Sequence, residues 1–180
     1  MAAMRRIITG QTAEGKSVFV SDELVEAIEP ALMGGWAFHR VWGSDAPTSL
    51  PTEGAAPQAE RYFPPVGGYR FSFFTIPPGS VRIDESIDLA AALEEVQTLL
   101  PGLLDVMEPD HPGMHTTDTV DADVVISGEA WLELDDGAEV HLVPGDLVVQ
   151  NGTRHRWRNR TEEPCVVFVV LLGAERRSSQ

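Results

Sequence analysis

A single cysteine, Cys165, is all that the 180 residues contain, so no internal disulfide framework can staple the fold. Its place beside an apolar run reads as a small buried residue, because no neighbouring base is at hand to make it a nucleophile. Positive charge is also scarce: 13 Lys and Arg stand against 28 Asp and Glu, a formal net charge of −15. That balance repels phosphate backbones and removes nucleic acid from the expected partners. It also disfavours highly anionic substrates, except where Arg154, Arg156, Arg158 and Arg160 cluster and reverse the sign locally. Long apolar runs are missing too, so no membrane-spanning helix is expected. The two arginines of MAAMRRIITGQ are not followed by an apolar core of signal-peptide length, and the expectation is a cytoplasmic protein with no membrane partner.

What the chain has in quantity is short apolar runs separated by turn signals. Between Gly113 and Gly173, residues 124–126 end at Ser127-Gly128 and residues 130–134 end at Asp135-Asp136-Gly137, where Asp-Gly tolerates the positive φ of a hairpin. Residues 140–143 lead to Pro144-Gly145-Asp146, residues 147–150 to Asn151-Gly152, and residues 155–159 and 166–172 complete the set. This spacing leaves no room for helices and predicts an all-β antiparallel barrel or sandwich.

Upstream, residues 5–9 and 16–20 flank Glu14-Gly15 as an N-terminal β-hairpin. In 36–42, Trp36, Phe38, Arg40 and Trp42 alternate with Ala37, His39 and Val41, and one of these two faces is buried. Five prolines between Gly43 and Gly68 (Pro47, Pro51, Pro57, Pro64 and Pro65) mark a long surface loop. Residues 69–76 return to strand pattern, with Phe71, Phe73 and Phe74 as barrel filling, and Pro77-Pro78-Gly79 stops them. Residues 86–100 contain neither Gly nor Pro and place Leu89, Leu93, Val96 and Leu100 on one helical face. Asp84, Glu85 and Asp88 suit the helix N-terminus, and Pro101-Gly102 ends it. Such a helix either lies across the barrel mouth as a lid or packs outside it. No internal repeat is present. The organisation is one domain: N-terminal strands and the Pro-rich loop over 1–80, a helical insertion over 81–112, the barrel core over 113–174 and a polar tail over 175–180.

The motifs in this stretch resemble those of the cupin superfamily. Its first motif, G-x5-H-x-H-x3,4-E-x6-G, is met here by His115-x-Thr117-x3-Asp121-x6-Gly128, and its second by Pro144-Gly145-Asp146, Asn151-Gly152 and His155-x3-Asn159. The resemblance implies a double-stranded β-helix (jelly-roll) barrel, here with the hairpin extension and one inserted α-helix. It also implies a metal site, but Thr117 stands where the second histidine belongs and Asp121 where the glutamate belongs. The ligands it leaves are His115, Asp121 and His155, a set suited to a divalent Fe, Mn, Ni or Zn ion with open positions, Asp121 reaching it directly or through water. The spelling H-x-T-D-T-V-D followed by V-V-x-S-G-E is similar to that of small bacterial and fungal single-domain cupins, mostly without an assigned reaction. Cupins often lend an N-terminal strand to a partner, which makes a homodimer the expected assembly. The alternative is a hairpin that extends its own sheet.

Other polar residues need weighing beside this set. His39 has no second ligand at metal spacing and reads as packed or surface histidine. His111 precedes His115 by a Pro-Gly and cannot form a helical ligand pair with it, and His141 reads as a rim residue. Trp157 alternates in step with His155 and Asn159 and is expected to face the site, with Arg156 and Arg158 facing away and Asn159 bracing a turn. Trp131 shares a strand face with Glu133 that is either outer surface or inner cavity; if inner, it stacks on an aromatic substrate. Thr117, Trp131 and Trp157 are thus candidate pocket residues. Three functions remain open. One is a metal-dependent oxygenase, lyase or isomerase acting on a small carbonyl or aromatic molecule. Another is a metal-independent lyase, isomerase or dehydratase using His155 and Asp121. The last is a binding barrel without catalysis.

Overall fold

In the computed structural model, residues 3–52, 59–84 and 86–177 are described. Glu85, Pro57 and the last three residues of the polar tail lie outside them. Ten strands and one α-helix follow in order: β1 (Met4–Gln11), β2 (Ser17–Val25), β3 (Ala37–Ser44), β4 (Tyr69–Ile76), α1 (Leu89–Leu99), β5 (Thr119–Ser127), β6 (Ala130–Glu133), β7 (Glu139–Leu142), β8 (Leu147–Asn151), β9 (Arg156–Arg158) and β10 (Cys165–Gly173). They form a five-stranded sheet in the order β3-β4-β10-β5-β8, a facing three-stranded sheet β7-β6-β9, and the separate hairpin β1-β2. All pairings between neighbouring strands are antiparallel. The segment before residue 80 therefore supplies two strands of the larger sheet as well as the hairpin.

Alternation decides which side chains enter the barrel. Phe74, Val125, Val167, Val169 and Leu171 from the larger sheet meet Leu132 and Leu142 from the smaller one in a single core. Val169 pairs with Ser72 on one side and Asp123 on the other, and Leu171 likewise with Arg70 and Asp121. The inner face of the larger sheet is thus apolar toward Phe74 and polar toward Arg70, with Arg70, Ser72, Asp121 and Asp123 all buried. Asp135-Asp136-Gly137 makes the β6–β7 turn with φ of 57° at Asp136 and 74° at Gly137, the left-handed conformation that this pair of residues tolerates.

The helix begins three residues later than the Gly- and Pro-free stretch, because the Asp88 side chain accepts the amides of Ala90 and Ala91 and takes the cap position. Its buried face also differs from the expected one. Val96 and Leu100 are fully buried within the core, whereas Leu89 and Leu93 are 59% and 41% exposed, and Ala92 takes the buried position between. Among the described residues, no helix is long and apolar enough to cross a membrane.

Candidate functional site

His115 and His155 are brought together by their own backbones. Each amide donates to the other's carbonyl at 3.0 Å, an isolated antiparallel bridge, and the two rings lie 4.2 Å apart between centroids. Their Nδ1 atoms are held at carbonyls, His115 at Gly113 (3.0 Å) and His155 at Thr153 (2.8 Å). A carbonyl accepts only, so both Nδ1 atoms carry the proton and both Nε2 atoms keep a lone pair. Burial keeps both rings neutral: it lowers the His115 pKa, and it pushes that of His155 down to about 4 with help from the neighbouring imidazole. A clamp outside holds the two loops in place, for Arg154 donates to both Glu108 carboxylate oxygens at 2.6 and 2.7 Å and to Asp135 at 2.7 Å. Glu108 in turn donates its amide to the Met114 carbonyl, next to His115.

Asp121 projects from β5 opposite Gln150 of β8 and Leu171 of β10, 5% exposed. Its Oδ1 has no hydrogen-bond partner. Burial raises its pKa to about 6, with the Thr119 hydroxyl only partly offsetting this. Two residues on, Asp123 faces the same way, and burial together with the Asp121 charge raises it to about 8. Among the described residues neither carboxylate is in an ion pair. Tyr62, 6% exposed, has its pKa raised by burial and feels the charges of Arg40, Asp123 and Asp121. Thr117, 1% exposed, accepts the Thr119 hydroxyl at 2.8 Å.

Trp157 faces the barrel interior, edge-on to Phe74, and lines an open cavity of about 610 Å³ together with Trp36, Arg82, Arg158 and Asn159. Trp131 takes the outer of its two alternatives. It stacks on His141 at 4.3 Å and 11° with Arg160 over its ring, while its neighbours Ala130 and Leu132 enter the core. Arg156 and Arg158 point away from the interior as expected and close on Glu133 at 2.5 and 2.8 Å. Asn159 braces a turn, accepting the Thr161 amide and donating to the Glu163 carbonyl. His39 is fully buried, His111 and His141 lie at the surface beside Glu108 and Glu129, and burial raises the Cys165 thiol to about 11.

The fit to a metal ion is incomplete. The paired Nε2 lone pairs are suitable donors. Among the described residues, however, no three His, Cys, Asp or Glu side chains converge as a metal cluster would, so His115 and His155 are assembled without Asp121 as a third ligand. Asp123, Tyr62 and Arg40 are the interior residues that the motif spacing did not single out. Period-two alternation from Asp121 already puts Asp123 on its face, and the alternation of Phe38 with Arg40 turns the arginine inward. Tyr62 sits in the Pro-rich loop, where no local periodicity reports burial.

Sequence comparison with known proteins agrees with this architecture. Residues 103–171 match the Cupin domain family. Phomopsin biosynthesis cluster protein D of Diaporthe leptostromiformis is 32% identical over 174 residues, covering 92% of this chain and 77% of that protein. The cupin-domain-containing oxidoreductase srdB of Neurospora crassa is 25% identical over 173 residues, covering 93% and 72%. Among solved structures, the polyketide cyclase RemF of Streptomyces resistomycificus aligns at 15% identity and a TM-score of 0.44, over 82% of this chain and 72% of that one. With motif spacing, jelly-roll pairing, the family match and a relative 32% identical over 92% of this chain in agreement, the chain belongs to the cupin superfamily.

Proposed function

We propose that the protein is an enzyme that moves a proton on a small carbonyl-containing or aromatic molecule held inside the barrel, as a lyase, isomerase or dehydratase does. The observation that carries this reading is Asp121: a carboxylate 5% exposed, with one oxygen lacking any partner and a pKa raised to about 6. A base tuned to near-neutral pH with one oxygen left unpartnered suits proton abstraction beside a carbonyl. His155, neutral with its Nε2 lone pair free, accepts a hydrogen bond from a substrate hydroxyl and orients it, and His115 duplicates that acceptor alongside. The relatives' names, a biosynthesis cluster protein and an oxidoreductase, support a place in small-molecule biosynthesis.

A metal-dependent reading has one observation in its favour, since both imidazoles are fixed through Nδ1 and keep Nε2 available. The two readings separate in one experiment: turnover across a panel of small carbonyl and aromatic compounds, with and without chelator. Proton-transfer chemistry survives chelation and is lost in Asp121→Asn and weakened in His155→Ala. Activity abolished by chelator and restored by Fe, Mn, Ni or Zn overturns it, as does near-stoichiometric metal that disappears from both His115→Ala and His155→Ala.

A second copy of the chain is the partner proposed for the hairpin. A two-stranded sheet has little stability by itself, and β1-β2 leaves Phe19 78% and Leu24 62% exposed.

A further inference from the structure

Two arginines reach the inner face of the larger sheet, and their surroundings differ sharply. Arg70 is saturated: Nε donates to the Arg61 carbonyl (3.1 Å), Nη1 to those of Ser44 and Tyr69 (both 2.9 Å), and Nη2 to Arg61 and to the Asp45 carboxylate. Arg40 uses one nitrogen only. Its Nη2 is shared among the carbonyls of Ala59 (2.9 Å), Glu60 (3.3 Å) and Arg61 (3.2 Å). Among the described residues Nε and Nη1 have no acceptor, and no carboxylate pairs with the guanidinium. A half-buried cation with no carboxylate hydrogen-bonded to it, next to a second cation, is electrostatically unfavourable: burial and the Arg70 charge lower its pKa, and the nearby Asp45 carboxylate, already bonded to Arg70, offsets this only in part. The fork formed by Nε and Nη1 matches the two oxygens of a carboxylate.

Space for such a group is present. A cavity of about 190 Å³ is lined by Arg40, Trp42, Ala59, Arg70 and Ser72. It lies on the same side of the sheet as the carboxylates, because Arg40 pairs with Ser72, Ser72 with Val169 and Val169 with Asp123, one continuous row across four strands. Tyr62 feels the charges at both ends of that row.

We propose that this cavity is an anion subsite in which Arg40 grips the carboxylate of a small, planar organic acid whose body rests against Trp42. The placement of the reacting end near Asp121 rests on the proton-transfer reading above; the subsite itself does not. It reconciles a chain of net charge −15 with an anionic ligand, since a direct contact with a half-buried cation is strong at low local dielectric, whereas repulsion from distant surface carboxylates is screened by solvent and salt.

The test uses benzoate and its neutral isostere benzamide, with calorimetry and thermal shift on the whole protein. Benzoate is expected to bind saturably, more weakly as salt rises, and to shift the Arg40 Nε–H resonance, while benzamide binds at least about tenfold more weakly. Arg40→Gln is expected to lose about tenfold or more in benzoate affinity, Arg40→Lys to fall between, and the surface variant His141→Ala to stay close to the parent protein. Equal affinity for benzoate and benzamide, or no benzoate binding tighter than about 10 mM, overturns the subsite. So does unchanged benzoate affinity in a folded Arg40→Gln. The comparison of the two ligands on the unmodified protein decides the matter even if Arg40→Gln does not fold. Failure of the proton-transfer reading would show in chelated turnover with Asp121→Asn and would leave benzoate binding intact.

Discussion

Replacing Asp121 by Asn is expected to stabilise the protein at neutral pH and to do nothing at acid pH. In the folded state burial raises the carboxyl pKa from 3.8 to about 6, so the folded chain binds this proton more tightly than the unfolded chain does. The stability that the bound proton contributes is fully present below pH 3.8 and is lost as pH rises through about 6. At about 1.4 kcal/mol per tenfold, the ionised carboxylate costs about 3 kcal/mol above that range. Asn cannot ionise, so Asp121→Asn should gain up to about 3 kcal/mol at pH near 7.5, or about 6–12 °C in Tm for a domain of this size. Asp123 adds to the gain, because its own pKa is raised to about 8 partly by the charge that the substitution removes. Urea titrations of both proteins at pH near 3.5 and near 7.5 measure the effect. A gain equal at both pH values would trace it to packing rather than charge, and no gain at the higher pH would show that Asp121 finds a counter-charge or solvent; either result refutes the reasoning.

Turnover should rise with pH through about 6 as the Asp121 carboxylate ionises, and a pH profile flat from 5 to 8 would remove it as the base. Leu100→Ala removes a fully buried side chain from the core and should cost about 2–5 kcal/mol, whereas Leu89→Ala, 59% exposed, should cost far less; equal losses in thermal melts would mean that the C-terminal end of α1 is not anchored in the core. Arg154→Ala should lower the melting temperature, less so at high salt, and should broaden the His115 and His155 ring resonances by loosening the two loops. Phe19→Asp with Leu24→Asp should convert a dimer to monomer in light scattering; an unchanged mass would exclude the hairpin as the interface.

Most of the barrel was legible because its strands are short and bounded by turn residues. Residues 69–76 form a strand with the bounds expected, and Asp135-Asp136-Gly137 turns where Asp-Gly predicts. The helix was legible as an element, but its start depended on a side-chain cap and its inner face on what it packs against, so Ala92 is buried where Leu89 and Leu93 were expected. The histidine pair was legible because both residues carry a motif spacing. The polar half of the interior was not, since Arg40 and Asp123 lie on separate strands that only sheet pairing joins, and Tyr62 comes from a loop outside any strand. Trp131 illustrates the same limit: alternation gives two faces, and closure of the barrel decides which is outside.

The reciprocal amide–carbonyl bridge between residues 115 and 155 has a consequence for how such barrels diversify. Because main-chain bonds, and not the imidazoles, set the separation, the two positions act as paired sockets whose contents can be exchanged without rebuilding the walls. Carboxylate, amide or thiol side chains placed there would arrive already spaced for a shared ligand, so reaction type at this pair can drift while the scaffold stays still.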